Sequence, residues 1–226
     1  MKIGKYLALA AALAVAAVTL ADPAWAQVSG RLRVSDAGGR AAPDLGDAVI
    51  YLQGRGARAT PRTARMALDA RQFRPRVLLV PVGATVEFPN QDAFNHNVFS
   101  LSEDNTFDLG LYPQGESRSQ RFRRPGLVRI FCNIHPRMSA FVVVRDNAWY
   151  TQPGADGSFT VPDVPPGTYT LVVWHERAPQ ITREITVLAG AGGLEGLELN
   201  MDASGYRWVQ HPNKHGQQYG TTRERY

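Results

Sequence analysis

The chain has 226 residues, 44% of them apolar, and carries 25 Lys and Arg against 20 Asp and Glu, a formal charge of +5. That apolar share is enough for real cores, and the length suits one large or two small domains. A basic excess of this size fits an acidic partner, an anionic membrane surface or a merely solvated face, and it does not by itself select among them.

The N-terminus opens with Lys2 and Lys5, an apolar alanine-rich run from Tyr6 to Leu20, and Ala24-Trp25-Ala26. This is the order of a signal peptide, positive region, apolar region and small-x-small cleavage site, so residues 1–26 are expected to be removed and the exported chain to begin at Gln27. The apolar run is shorter than the ~20 residues of a spanning helix. The expected product is therefore a periplasmic protein with no transmembrane anchor after cleavage, and export argues against nucleic acid as a partner.

Beyond that point the sequence predicts an all-β chain. Short runs recur at Val28 to Val34, Ala48 to Leu52, Val77 to Val80, Thr85 to Phe88, Leu127 to Phe131, Phe141 to Val144, Thr168 to Trp174, Glu184 to Leu188 and Leu197 to Asn200. They are separated by Gly, Pro, Asn and Asp. In the first, Val28, Leu32 and Val34 alternate with Ser29, Arg31 and Arg33, the period of a half-buried strand. Turns are expected at Ala37-Gly38-Gly39, Asp156-Gly157 and Pro165-Pro166-Gly167. A single helical turn is expected either around Thr63 to Asp69 or in the Ser102 to Asp108 loop. Many short strands with regular turns indicate a Greek-key sandwich.

The arginine-rich stretch from Gly54 to Arg65 reads as a linker into a central block, residues 57–147. A second, turn-rich block covers 148–200. Residues 27–56 lack enough strands to bury a core alone, so they are expected to pair with that second block and to leave the central one inserted between. Residues 201–226 are polar, basic and without periodicity, a tail that is either mobile or wrapped on the surface.

The chemistry concentrates around Cys132, the chain's one cysteine. An exported protein normally pairs its cysteines, so a lone thiol is buried, joined to another molecule or occupied by a metal. In Cys132-Asn-Ile-His135-Pro-Arg-Met138 a thiolate, an imidazole and a thioether fall within seven residues, and His96 lies upstream. Two imidazoles, one thiolate and a weak axial thioether are the donor set of a blue-copper site. Thiolate and thioether suit Cu(I), imidazole also suits Cu(II), and a short loop can supply three donors together. The competing readings are a zinc pair, which favours further Cys or His nearby, a Cys/His nucleophile, for which no orienting acid is evident, and a plain buried cysteine. His175, His211 and His215 read as ordinary polar residues.

Val80-Pro-Val-Gly83-Ala-Thr-Val-Glu-Phe-Pro-Asn90, His96-Asn97-Val98, Gly115-Glu116-Ser117 and Arg124-Pro-Gly126 carry a resemblance to the cupredoxin family over roughly residues 66–144. Plastocyanins and amicyanins are the most similar types, and the two-residue gap between His135 and Met138 resembles amicyanin. The resemblance implies an eight-stranded Greek-key sandwich with one type 1 copper ion on His96, Cys132, His135 and Met138. It further implies that Asn97 braces the cysteine loop, and that His135, with Pro136 beside it, is the electron port. Asp156-Gly-Ser-Phe-Thr-Val161 and Val164-Pro-Pro-Gly-Thr-Tyr-Thr-Leu171 resemble carboxypeptidase-regulatory-like, transthyretin-like sandwiches. The expected function is periplasmic electron transfer without catalysis, with a c-type cytochrome or a periplasmic dehydrogenase as redox partner. Copper storage or delivery, and a non-catalytic subunit of a copper oxidoreductase, are the alternatives.

Overall fold

The computed structural model describes residues 25–188 and 193–219. The expected signal peptide up to residue 24 lies outside the described residues, as do 220–226 of the C-terminal segment. The chain is all-β: among the described residues there is no α-helix, only 3-10 turns at Leu45–Asp47 and Glu103–Asn105. None of these helices is long and apolar enough to cross a membrane.

In chain order the strands are β1 (Ala26–Ser35), β2 (Val49–Gln53), β3 (Thr63–Arg65), β4 (Ala67–Asp69), β5 (Gln72–Arg74), β6 (Val77–Pro81), β7 (Thr85–Pro89), β8 (His96–Ser100) and β9 (Phe107–Tyr112). They continue as β10 (Ser117–Arg121), β11 (Gly126–Phe131), β12 (Ser139–Arg145), β13 (Tyr150–Thr151), β14 (Ser158–Val164), β15 (Gly167–His175), β16 (Ala178–Val187) and β17 (Leu194–Asp202). Of the two places offered for a helical turn, the Ser102 to Asp108 loop carries the 3-10 turn Glu103–Asn105, whereas Thr63 to Asp69 is instead β3 and β4. Ala64 pairs with Val86 of β7, and Leu68 is fully buried, so sheet pairing and burial override local preference.

Four sheets stack. The first has the order β14-β1-β17 and the second β13-β2-β15-β16; the third is β6-β12-β11-β8-β9 and the fourth β10-β7-β3. Three apolar clusters fill the spaces between them. Val28, Leu32 and Val34 of β1 meet Ile50, Leu52, Leu171 and Val173 in the first. Val86 and Phe88 of β7 meet Val98, Ile130, Val142 and Val144 in another. Val77, Leu79, Phe141 and Val143 cover Val49, Tyr51 and Trp174 in the layer between. β12 is therefore buried on both faces, which explains its unbroken run Ala140-Phe-Val-Val-Val144. β1, from near one end of the chain, pairs antiparallel with β14 and parallel with β17.

Two polar ties hold the stack. The Arg76 guanidinium donates to both oxygens of Glu176, at 2.7 Å each, and to the Ser139 carbonyl at 3.0 Å. Tyr206 donates to the same Glu176 at 3.1 Å, bringing residues after β17 onto the β11–β12 face.

Candidate metal centre

The centre sits where two strand connections meet at one end of the third sheet. β8 begins at His96, and its five residues are all buried. β11 ends at Phe131 and β12 begins at Ser139, so residues 132–138 form the connecting loop. That loop is pinned by its own backbone. Cys132 N–H donates to Met138 C=O at 3.1 Å, and Met138 N–H donates to His135 C=O at 2.9 Å.

Three donor atoms converge. His96 Nδ1 and His135 Nδ1 are 3.1 Å apart, and Cys132 Sγ lies 3.7 Å from the first and 3.5 Å from the second. The point equidistant from all three is about 2.0 Å from each, close to metal–imidazole (≈ 2.0–2.1 Å) and metal–thiolate (≈ 2.3 Å) bonds as known for zinc. One ion fits in this triangle. His96 and Cys132 are fully buried, and His135 is partly exposed.

The protonation pattern favours a cation. Asp92 accepts from Ala70 N–H at 2.7 Å and Arg71 N–H at 2.9 Å, and His96 Nε2 lies 2.8 Å from its Oδ2. Burial opposes ionisation of Asp92, but these hydrogen bonds outweigh it and hold the carboxyl below its ordinary range. A carboxylate can only accept, so His96 Nε2 carries the proton and its Nδ1 lone pair faces the triangle. Burial also lowers the His96 pKa, chiefly by desolvation and with Asp92 opposing, so the ring is neutral at neutral pH. Burial pushes the Cys132 thiol up, while N–H groups of Asn97, Ile134 and His135 directed at the sulfur pull it down. Burial outweighs them, so the thiol keeps its proton in the metal-free protein, and the N–H groups would stabilise the thiolate once a bound cation displaced that proton.

Met138, only 1% exposed, lies in the same apolar cluster as Cys132. Pro136 is partly exposed beside His135. Asn97 directs its backbone N–H at the Cys132 sulfur, and its side chain donates to Asp108 Oδ1 at 2.6 Å. Phe94, 38% exposed, packs its ring against both imidazoles at centroid distances of 5.2 and 5.5 Å, with Arg71 above it at 5.0 Å. Asp92, Phe94 and Asp108 escaped the sequence reading because they are loop contacts with no period. The nearest signal was the Asn90-Gln-Asp-Ala-Phe-Asn95 turn, where Asp92 N–H donates to Asn90 Oδ1 at 3.0 Å.

Of the other histidines, His175 Nε2 lies 3.2 Å from the Asp44 carbonyl, away from the centre. His211 stacks on Phe131, next to Cys132, with centroids 4.4 Å apart and planes within 19°.

A purple cupredoxin from Nitrosopumilus maritimus is 24% identical, covering 36% of this chain and 99% of its own, with a TM-score of 0.33. A copper-containing nitrite reductase from Thermus scotoductus is 29% identical over 42% of this chain and 25% of its own, with a TM-score of 0.36. A reduced amicyanin variant is 26% identical over 37% and 82%, with a TM-score of 0.35. At such scores the likeness carries no weight of its own; the donor atoms do. The family that matches residues 144–193 is described as polysaccharide lyase family 4, domain II, and not as the transthyretin-like module expected there. A search of curated proteins found no match.

Proposed function

We propose that the chain is an exported, single-copper electron carrier, and that His96, Cys132, His135 and Met138 would hold the copper. The observation that carries this reading is the triangle of two Nδ1 atoms and one Sγ, with sides of 3.1, 3.5 and 3.7 Å. Bound there, copper would supply one-electron chemistry between Cu(I) and Cu(II).

The protein's own part is to hold the donors still. Asp92 fixes the His96 tautomer and ring direction, N–H groups await the sulfur, and the Cys132–Met138 backbone pair closes the loop. Donors that do not rearrange lower the cost of changing oxidation state. Electron transfer rather than turnover of a substrate is supported by the donor set, since four protein donors would fill the ion's coordination.

The character of the rim supports an acidic partner. His135, Pro136, Phe94 and Ile134 form a partly exposed apolar centre, flanked by the exposed Arg71 and Arg137. An acidic redox protein such as a c-type cytochrome or a periplasmic dehydrogenase would match it, and association would weaken with salt.

The test is spectroscopic. Copper-loaded, oxidised protein is expected to show intense visible thiolate-to-Cu(II) absorption, reversibly lost on reduction, and Cys132→Ser is expected to abolish it. A copper-replete but colourless wild type would overturn the reading. Rapid surrender of copper to mild chelators would favour storage or delivery instead.

A further inference from the structure

We propose that residues 206–219 belong to the metal centre, as a strap that positions the Cys132–Met138 loop from outside the sandwich. This rests on the copper reading above and extends it to a segment whose sequence gave no hint of a role.

Contacts from the strap fall on four of the loop's seven residues. Tyr219 Oη donates to the Cys132 carbonyl at 3.2 Å. The Lys214 backbone N–H donates to Asn133 Oδ1 at 2.9 Å. His211 Nε2 lies 3.4 Å from the His135 carbonyl oxygen, and the Trp208 ring sits 5.5 Å from the Arg137 guanidinium. The imidazole of His211 is 6% exposed and lies flat on Phe131, with Tyr219 edge-on to it at 5.5 Å.

A second line of contacts reaches the sulfur from the other side. Lys214 Nζ pairs with Asp108 Oδ2 at 2.8 Å. Asp108 Oδ1 accepts from Asn97 Nδ2 at 2.6 Å and from Gly110 N–H at 2.9 Å. Asn97 in turn directs its backbone N–H at Cys132 Sγ. The strap therefore holds Cys132 through its own carbonyl and through the residue that follows His96. Tyr206, tied to Glu176 and so to Arg76, anchors its start.

A segment serving only as surface cover would have no reason to place its polar groups on loop carbonyls and on the Asp108 hub. Partners that orient metal ligands from behind typically change metal affinity by roughly 10–100-fold when removed. Coupling of this kind is reciprocal, so metal in the centre must also tighten the strap.

The experiment uses the full chain and the combined changes His211→Ala, Lys214→Ala and Tyr219→Phe, none of which removes a proposed ligand. Copper release to a chelator is expected to be roughly 10-fold faster than in wild type, with a shifted visible band. In metal-free protein, exchange of the Cys132 and Met138 amide hydrogens is expected to speed up. In wild type, copper should slow exchange at the Lys214 amide. Should the triple variant not fold, Tyr219→Phe alone, which deletes one oxygen, is expected to move the same quantities by less. A lower melting temperature with unchanged copper release, band and loop exchange would overturn the strap. If wild type holds no copper, the copper reading fails, and loop exchange in the metal-free variant still decides whether the strap restrains the loop.

Discussion

The carboxylate of Asp92 does the work of several groups. It accepts two backbone N–H bonds from the turn between β4 and β5, where Ala70 and Arg71 adopt φ of 51° and 57°, and it takes the Nε2–H of His96. Such a two-residue turn is unfavourable for non-glycine residues, so this acceptor helps to hold it. Asp92→Ala is expected to weaken copper binding about 10–100-fold in competition titrations. It should also destabilise the metal-free protein by about 1–3 kcal/mol, because the buried His96 Nε2–H loses its acceptor. Unchanged affinity would mean that His96 is oriented by its packing alone. This residue was illegible in the sequence because its backbone partners lie some twenty positions upstream and its pairing with His96, four positions on, crosses a loop with no period, whereas Cys132, His135 and Met138 announced themselves by spacing within one loop.

At the scale of elements, strand pairing imposes demands that the local pattern hides. Gly30 sits in the middle of β1, where glycine weakens a strand for lack of a side chain. Its reason is β17: a Cβ at position 30 would lie 2.1 Å from the Leu197 carbonyl oxygen and 2.7 Å from Leu197 Cβ. The parallel register slips between Val28 and Gly30, and the two backbones close in there. Gly30→Val is expected to cost about 1–3 kcal/mol, read as a lower urea midpoint at unchanged slope. A neutral result would show that β17 can move away. The alternating residues of β1 were legible as a strand, but its neighbours were not. One is β14, across more than a hundred residues, and the other is β17, farther still.

Across the whole molecule, charge pairs join layers that apolar contacts already press together. Arg177, between β15 and β16, pairs with Asp36 at 2.6 Å and with Asp44, both in the connection from β1 to β2. Burial raises the Asp44 pKa, but the Arg177 hydrogen bond and the nearby His175 and Arg177 charges bring it below its ordinary 3.8. A depressed carboxyl contributes stability that is fully present above its ordinary value and is lost as the pH falls through the folded one. Asp44→Asn is therefore expected to be less stable than wild type at neutral pH. The gap should narrow as the pH drops below 3.8, measured by urea unfolding at a series of pH values. A gap independent of pH would assign the loss to geometry rather than charge.

The all-β class, most turn positions and the cluster of unlike metal donors around one cysteine could be read along the chain, because strand alternation, turn chemistry and loop spacing are local quantities. The sequence also separated the stretches that form strands from the aperiodic segment after β17. It took the folded layers to reveal which strands share a sheet, that β12 is covered on both faces, and that Asp92 and Asp108 stand behind His96 and Asn97. Tertiary structure alone placed His211, Lys214 and Tyr219 on the Cys132 loop. Those loop contacts join residues 76 to 87 positions apart. They follow from where the packed layers bring the loops together, which no period along the chain encodes.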